Sequence, residues 1–188
     1  MNQSFARRSF LQSFGAILAA SPELLEQRNA PAIAGGTGVR VEHGRGRFDE
    51  GRRTEGISQF QAKVSGKDTA NQLLIYEFNF TQKGGPPVHI HRNEHEWLYV
   101  VEGEYVAQVG GERRPLKAGD AWFLPRGVPH AFAYAGNPGT SGKNLVLFQP
   151  AGQMEEFFQV MARDVHAATD PKTMAQFGIQ FVGPPLAI

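Results

Sequence analysis

The chain has 188 residues, of which 41% are hydrophobic, with 19 basic and 18 acidic side chains. That length accommodates one domain with a sizeable core, and the near-cancelled charge excludes the basic surplus of a nucleic-acid binder. There is no cysteine, so disulfides and thiolate chemistry are excluded and any metal must sit on nitrogen and oxygen.

In chain order, the first element reads as an address. Arg7-Arg8-Ser9-Phe10-Leu11 resembles the twin-arginine export signal, with Gln12 where a lysine is common. A short apolar run, Ser13 to Ala20, follows, well under the ~20 residues that span a bilayer. Cleavage is expected after Ala20 or, preferably, after Ala32-Ile33-Ala34, which has the Ala-x-Ala form. Residues 1–34 are then a signal peptide, and the mature protein is periplasmic or secreted with no membrane segment. Their removal takes three of the 19 basic and two of the 18 acidic residues, leaving no net charge. The competing reading is an amphipathic N-terminal helix in a cytoplasmic protein.

Residues 35–56 are rich in Gly and Arg and read as an N-terminal arm. Ile57 to Val64 alternates apolar and polar residues, the period of a half-buried strand. Ser65-Gly66-Lys67-Asp68 is turn chemistry. Leu73 to Phe80, Glu96 to Val101, Tyr105 to Val109, Ala121 to Leu124, His130 to Tyr134 and Leu145 to Phe148 are further strands. Gly110-Gly111 marks a hairpin, and Gly/Pro-rich turns separate the other strands. Such spacing over 57–150 predicts an all-β sandwich or small barrel. Residues 151–188 change texture. Met154, Phe157, Phe158 and Met161 fall at helical spacing, and Asp170-Pro171 to Gly178 reads as a capped second helix. Both are expected to be short helices packed on the barrel by their apolar stripes.

The chemistry concentrates in Pro86 to Gly103. On a strand, His89 and His91 point to one face, roughly 6.6 Å apart at Cα, so their imidazoles can converge on one ion. Glu96 leads the next strand and shares a side with Leu98 and Val100. A carboxylate facing an apolar interior needs a partner, and a metal supplies one. Pro125-x-Gly127-x-x-His130 places a third histidine at the start of a strand whose inward face continues with Phe132 and Tyr134. Glu94 is expected to be a solvated loop charge, and His95 exposed or interfacial. His43 and His166 are expected at the surface. Trp97, Tyr99 and Val101 form a second apolar face that a sheet or a dimer partner would cover.

Two spacings resemble the paired motifs of the cupin superfamily: H-x-H-x4-E-x6-G at His89, His91, Glu96 and Gly103, and G-x5-P-x-G-x2-H at Gly119, Pro125, Gly127 and His130. The resemblance covers about residues 57–150 and is to single-domain bacterial cupins of the quercetin-dioxygenase-like kind. It implies a jelly-roll β-barrel, a homodimer, and a three-histidine, one-glutamate site made by His89, His91, Glu96 and His130. Two positions depart from the pattern. Lys83 stands where the first motif opens with Gly, with Gly84 and Gly85 just after it, and Tyr134 stands where the second motif usually ends in Asn.

Three imidazoles and a carboxylate suit one divalent transition metal, and softness does not choose among Fe, Mn, Ni, Co and Zn. The expected function is a quercetinase-like dioxygenase acting on a small organic molecule, with Glu96 able to serve as a base. Leu98, Val100, Phe132 and Tyr134 are expected to line the substrate cavity. Two other readings stand beside it: a non-catalytic metal or small-ligand binder of the cell envelope, and a sugar-type isomerase, which export disfavours.

Overall fold

A computed structural model describes residues 38–48, 59–164, 166 and 169–188. The twin-arginine motif, the cleavage sites and part of the arm lie outside these residues. Among the described residues, ten strands form two five-stranded antiparallel sheets that face each other as a jelly roll. They are β1 (Gln59–Val64), β2 (Leu74–Phe80), β3 (Pro87–His91), β4 (His95–Glu102), β5 (Glu104–Val109), β6 (Glu112–Lys117), β7 (Ala121–Leu124), β8 (His130–Tyr134), β9 (Gly142–Gln149) and β10 (Ile179–Pro185). One sheet runs β1-β2-β9-β4-β7 and the other β10-β3-β8-β5-β6. The helices among the described residues are α1 (Met154–Arg163) and α2 (Pro171–Gln176). No helix among the described residues is long and apolar enough to cross a membrane.

The period-2 pattern of the sequence sets which face is buried. In β2, Leu74, Tyr76, Phe78 and Phe80 point inward, and in β4 so do Glu96, Leu98 and Val100. Both strands flank β9, whose Val146 and Phe148 complete the same wall. The strands His130–Tyr134 and Ala121–Leu124 have the bounds expected from the sequence, β4, β5 and β9 extend theirs by a residue or a few, β2 begins later, at Leu74, and β1 is described from Gln59. As expected for neighbours on one strand, Phe123 is exposed while Trp122 packs against the core.

Residues 38–48 are docked rather than trailing. Arg47 donates its backbone N–H to Ala62 and grips the Asp68 carboxylate through Nη2 at 2.9 Å and Nε at 3.0 Å, while Phe48 packs on the core. Asp68 also completes a capping box on a 3-10 turn, Gly66–Thr69.

Beyond the barrel, both expected helices are present. Asp170 caps α2 through the backbone N–H of Thr173, with Pro171 in the first turn. Helix α1 buries Met154, Phe157 and Phe158, and its Glu155 accepts from Ser65 Oγ at 2.8 Å and Gly66 N at 3.0 Å. Residues 151–188 are not purely helical, however. Ile179 to Pro185 returns as β10 and pairs with β3, placing Ile179 opposite His91 and Phe181 opposite His89. The Gly183-Pro184-Pro185 tail hides a strand from a propensity reading. It is tolerated because β10 is an edge strand, where a missing N–H costs no ladder bond.

Candidate metal centre

Three strands deliver the four residues singled out in the sequence. β3 carries His89 and His91, with burial that places both rings inward. β8 pairs with β3 so that His130 stands opposite His89. β4, in the facing sheet, contributes Glu96. One potential ligand atom from each lies within 4.8 Å of all the others, and no residue of the four is more than 7% exposed.

Backbone carbonyls orient two of the rings. His89 Nδ1 lies 2.8 Å from Pro87 O and His130 Nδ1 lies 2.8 Å from Val128 O. A carbonyl only accepts, so both Nδ1 atoms carry a proton; His89 Nε2 offers its lone pair to the centre, and His130 Nε2, which faces the Glu96 carboxylate, would do so once a cation displaced its proton. Glu96 Oε2 sits 3.1 Å from His91 Nε2 and 3.2 Å from His130 Nε2.

The local electrostatics suit a cation. Burial pushes the Glu96 carboxyl upward, but hydrogen bonds from His130 and His91 outweigh it and hold the group well below the usual carboxylate range. Burial, together with the neighbouring His91 and His130, pushes His89 down to about 3, which keeps it neutral. For His130, burial acts downward and the Glu96 hydrogen bond and charge win, raising it. The site therefore presents an ionised carboxylate and a neutral imidazole in an interior that excludes water. Glu96 Oε1 is buried with no hydrogen-bond partner, an arrangement a bound cation relieves. These donors, all nitrogen and oxygen, fit a divalent transition metal held by His89, His91, Glu96 and His130.

A cavity of about 260 Å³ opens onto His89, His91 and Glu96. Phe78, Phe132, Val146 and Phe148 form its barrel wall. Helix α1 adds Met154, Phe157, Phe158 and Met161, and Met174, Ile179 and Phe181 close it from α2 and β10. Of the four residues expected to line the cavity, Phe132 does. Leu98, Val100 and Tyr134 share the predicted inward faces but sit in packed core, 0%, 0% and 1% exposed, away from the cavity lining. Strand alternation reports the face a side chain takes, not its depth along the barrel. The Tyr134 hydroxyl instead bonds Thr140 Oγ1 at 2.6 Å, below a floor where Gly142 leaves room for the ring. The sequence predicts only core packing for the Met- and Phe-rich stripe of α1, and it does not single out the wall residues of β10.

Glu94 is a second correction. It is 0% exposed rather than solvated, because the chain between β3 and β4 folds beneath the residues that precede α1. His95 is half-buried and exterior: its Nδ1 accepts from Arg126 N at 3.2 Å and its ring meets Phe123. Trp97 and Tyr99 stack at 5.5 Å on the outer face of the same strand, with Val101 beside them 42% exposed. His43 and His166 are at the surface, as expected. At Gly85 a Cβ would collide with Phe132 O, so the shifted glycines of the first motif let this loop pass directly over β8, with Gly84 bridged to Tyr134.

A family model described as "Cupin domain" matches residues 76–140, which include all four cluster residues. The chain is similar to quercetin 2,3-dioxygenase of Bacillus subtilis (strain 168), with 27% identity over 108 residues, covering 57% of this chain and 31% of that protein. It thus spans less than a third of that relative's length. Among solved structures it is similar to an RmlC-like cupin from Shewanella frigidimarina NCIMB 400 (28% identity, TM-score 0.46, 61% of this chain and 96% of that one). It is also similar to the polyketide cyclase RemF from Streptomyces resistomycificus (29% identity, TM-score 0.47, 60% and 80%). Residues 76–140 match the cupin domain, and the two antiparallel sheets that hold them are the jelly-roll cupin fold.

Proposed function

We propose that the protein is a metal-dependent oxidoreductase of dioxygenase type that acts on a small, flat, largely apolar molecule carrying at least one metal-binding oxygen. The observation that carries this reading is the junction of two surfaces. An aromatic and methionine-lined cavity leads directly to the His89, His91, Glu96 and His130 cluster. The similarity to a quercetin 2,3-dioxygenase is consistent with it. A sugar isomerase needs hydroxyl-pairing groups around its ligand, whereas this cavity offers apolar walls.

When bound, the metal supplies Lewis acidity and, if redox-active, one-electron chemistry. The chain's own residues provide the rest. Phe78, Phe148 and Phe158 hold an apolar ring system and keep water out. His89 and His130 present Nε2 in fixed orientation because their Nδ1 protons are committed to carbonyls. Glu96, held ionised between two imidazoles, is a strong anchor for a cation and a weak base. It accepts a proton from a substrate hydroxyl only after releasing His91 or His130.

The test is metal content followed by oxygen uptake. The protein is purified, its bound metals are quantified, and dioxygen consumption is followed with flavonols, catechols and β-diketones. Uptake that depends on both the metal and one of these classes is expected. Tight metal with no uptake on any of them would overturn the dioxygenase reading in favour of a non-catalytic binder.

A further inference from the structure

The three imidazoles of the cluster differ in what holds their outer nitrogen. His89 and His130 each give Nδ1 to the carbonyl two residues earlier, at 2.8 Å in both cases. His91 has no such carbonyl, and its Nδ1 is buried with no hydrogen-bond partner. The charged group facing it is Glu94, whose Oε2 lies 4.0 Å away. Glu94 is itself fully buried, and neither of its oxygens is in hydrogen-bonding geometry with any described group. The backbone amides of Gln153, Glu94 and Asn93 point at it and favour its charged form. A buried acceptor with no side-chain partner and a buried ring nitrogen with no partner are the groups available to one another.

The surroundings keep the carboxylate there. Gly152 closes over it with φ +56°, and a Cβ at that position would collide with Glu94 Oε1. A glycine both reaches this left-handed conformation and leaves the space. Glu94 therefore occupies a niche between the cluster and the turn into α1.

We propose that Glu94 is the positioning residue of the metal centre: its carboxylate accepts the Nδ1 proton of His91, which fixes the ring's tautomer and turns Nε2 toward the metal. This rests on the metal-site reading of the cluster. It gives each of the three histidines an outer acceptor, a carbonyl for two and a carboxylate for the third. Partners of this kind set ring orientation and ligand basicity, and their loss typically weakens metal binding about 10–100-fold.

The experiment compares wild type with Glu94→Met, which fills the space without an acceptor, and Glu94→Gln, which keeps an acceptor and drops the charge. Co(II) affinity is measured by chelator competition, the Co(II) visible spectrum is recorded, and the His91 Nδ1 proton is followed by NMR in Zn(II)-loaded protein, where the metal would replace the Glu96 contact at Nε2. Binding about 10–100-fold weaker is expected for Met, with a shifted Co(II) spectrum, and an intermediate loss for Gln. The Nδ1 proton is expected to give a downfield, slowly exchanging signal in wild type that Glu94→Met loses. A purely structural Glu94 would lower thermal stability while leaving the Co(II) spectrum and that signal unchanged. Glu94→Met affinity within twofold of wild type with an unaltered spectrum, or no such signal in the Zn(II)-loaded wild type, would overturn the proposal. Wild type that binds neither Co(II) nor Zn(II) would overturn the metal-site reading and the Glu94 role with it, whereas wild type and Glu94→Met that bind equally well would remove the Glu94 role alone.

Discussion

His89 and His130 stand directly opposite each other across β3 and β8, with ring centroids 4.5 Å apart. That pairing makes one centre from two strands that four others separate along the chain. His91 sits on the strand of the first and stacks near His130 at 5.4 Å. The set should therefore behave as a unit. His91→Ala and His130→Ala are each expected to lose more metal affinity than the roughly 10–100-fold typical of an outer partner, while His43→Ala, at the surface, keeps it. Metal quantified after dialysis checks this. Full occupancy in both cluster variants would rule out the four-residue site.

Phe158 joins the C-terminal helix to the barrel. Its ring lies 4.3 Å from Tyr76, 5.6 Å from Phe78 and 5.8 Å from both Phe60 and Phe148, measured between centroids. Being only 5% exposed, it leaves a cavity when truncated. Phe158→Ala should cost about 3–5 kcal/mol of folding stability, read as a lower denaturant midpoint with an unchanged slope. A loss under about 1 kcal/mol would mean that α1 is not anchored at this ring.

Much of this arrangement is legible in the residues themselves. Alternation in LIYEFNF and in EWLYV sets the inward faces, and the i, i+2 spacing of His89 and His91 places two rings together. What alternation lacks is the third dimension. It assigns Leu98 and Tyr134 to the inside but not to a height, so they belong to the core and not to the cavity. It treats Glu94 as a loop charge because the turn before α1, which covers it, comes from a segment far along the chain. β10 escapes for a similar reason: its strand character comes from pairing with β3, and its own residues end in Gly-Pro-Pro. The helical stripe of Met154, Phe157, Phe158 and Met161 is visible as apolar, yet only the fold shows that it walls a cavity above the histidines.

The Arg7-Arg8 pair supports an export prediction independent of the folded domain. Changing both to lysine keeps the charge and removes the paired guanidinium groups, which are not interchangeable with ammonium groups. The variant is expected to remain in the cytoplasm in a fractionation assay, while the parent chain appears outside it. Unchanged export of the lysine variant would remove the twin-arginine assignment.

The metal-free protein should show a pH profile written by its own ligands. His89 titrates at about 3 when folded against roughly 6.5 unfolded. Between those values the unfolded chain binds more protons, so stability falls as pH drops below about 6.5. The slope from one such group is at most about 1.4 kcal/mol per pH unit. His130 acts oppositely. Its raised folded value adds stability that is complete below about 6.5 and is lost as pH climbs through that folded value. Glu96, held low, adds stability that is present above about 4.5 and is lost only as pH falls further. Stability of the metal-free protein should therefore peak near neutrality. In His89→Gln, the decline between about 6.5 and 4.5 should vanish while the loss below 4.5 and the loss above neutrality both remain. Denaturant titrations at half-unit steps from pH 4 to 8 read all three limbs. An identical mid-range slope in wild type and His89→Gln would show that His89 is not held neutral by its burial among the other two rings.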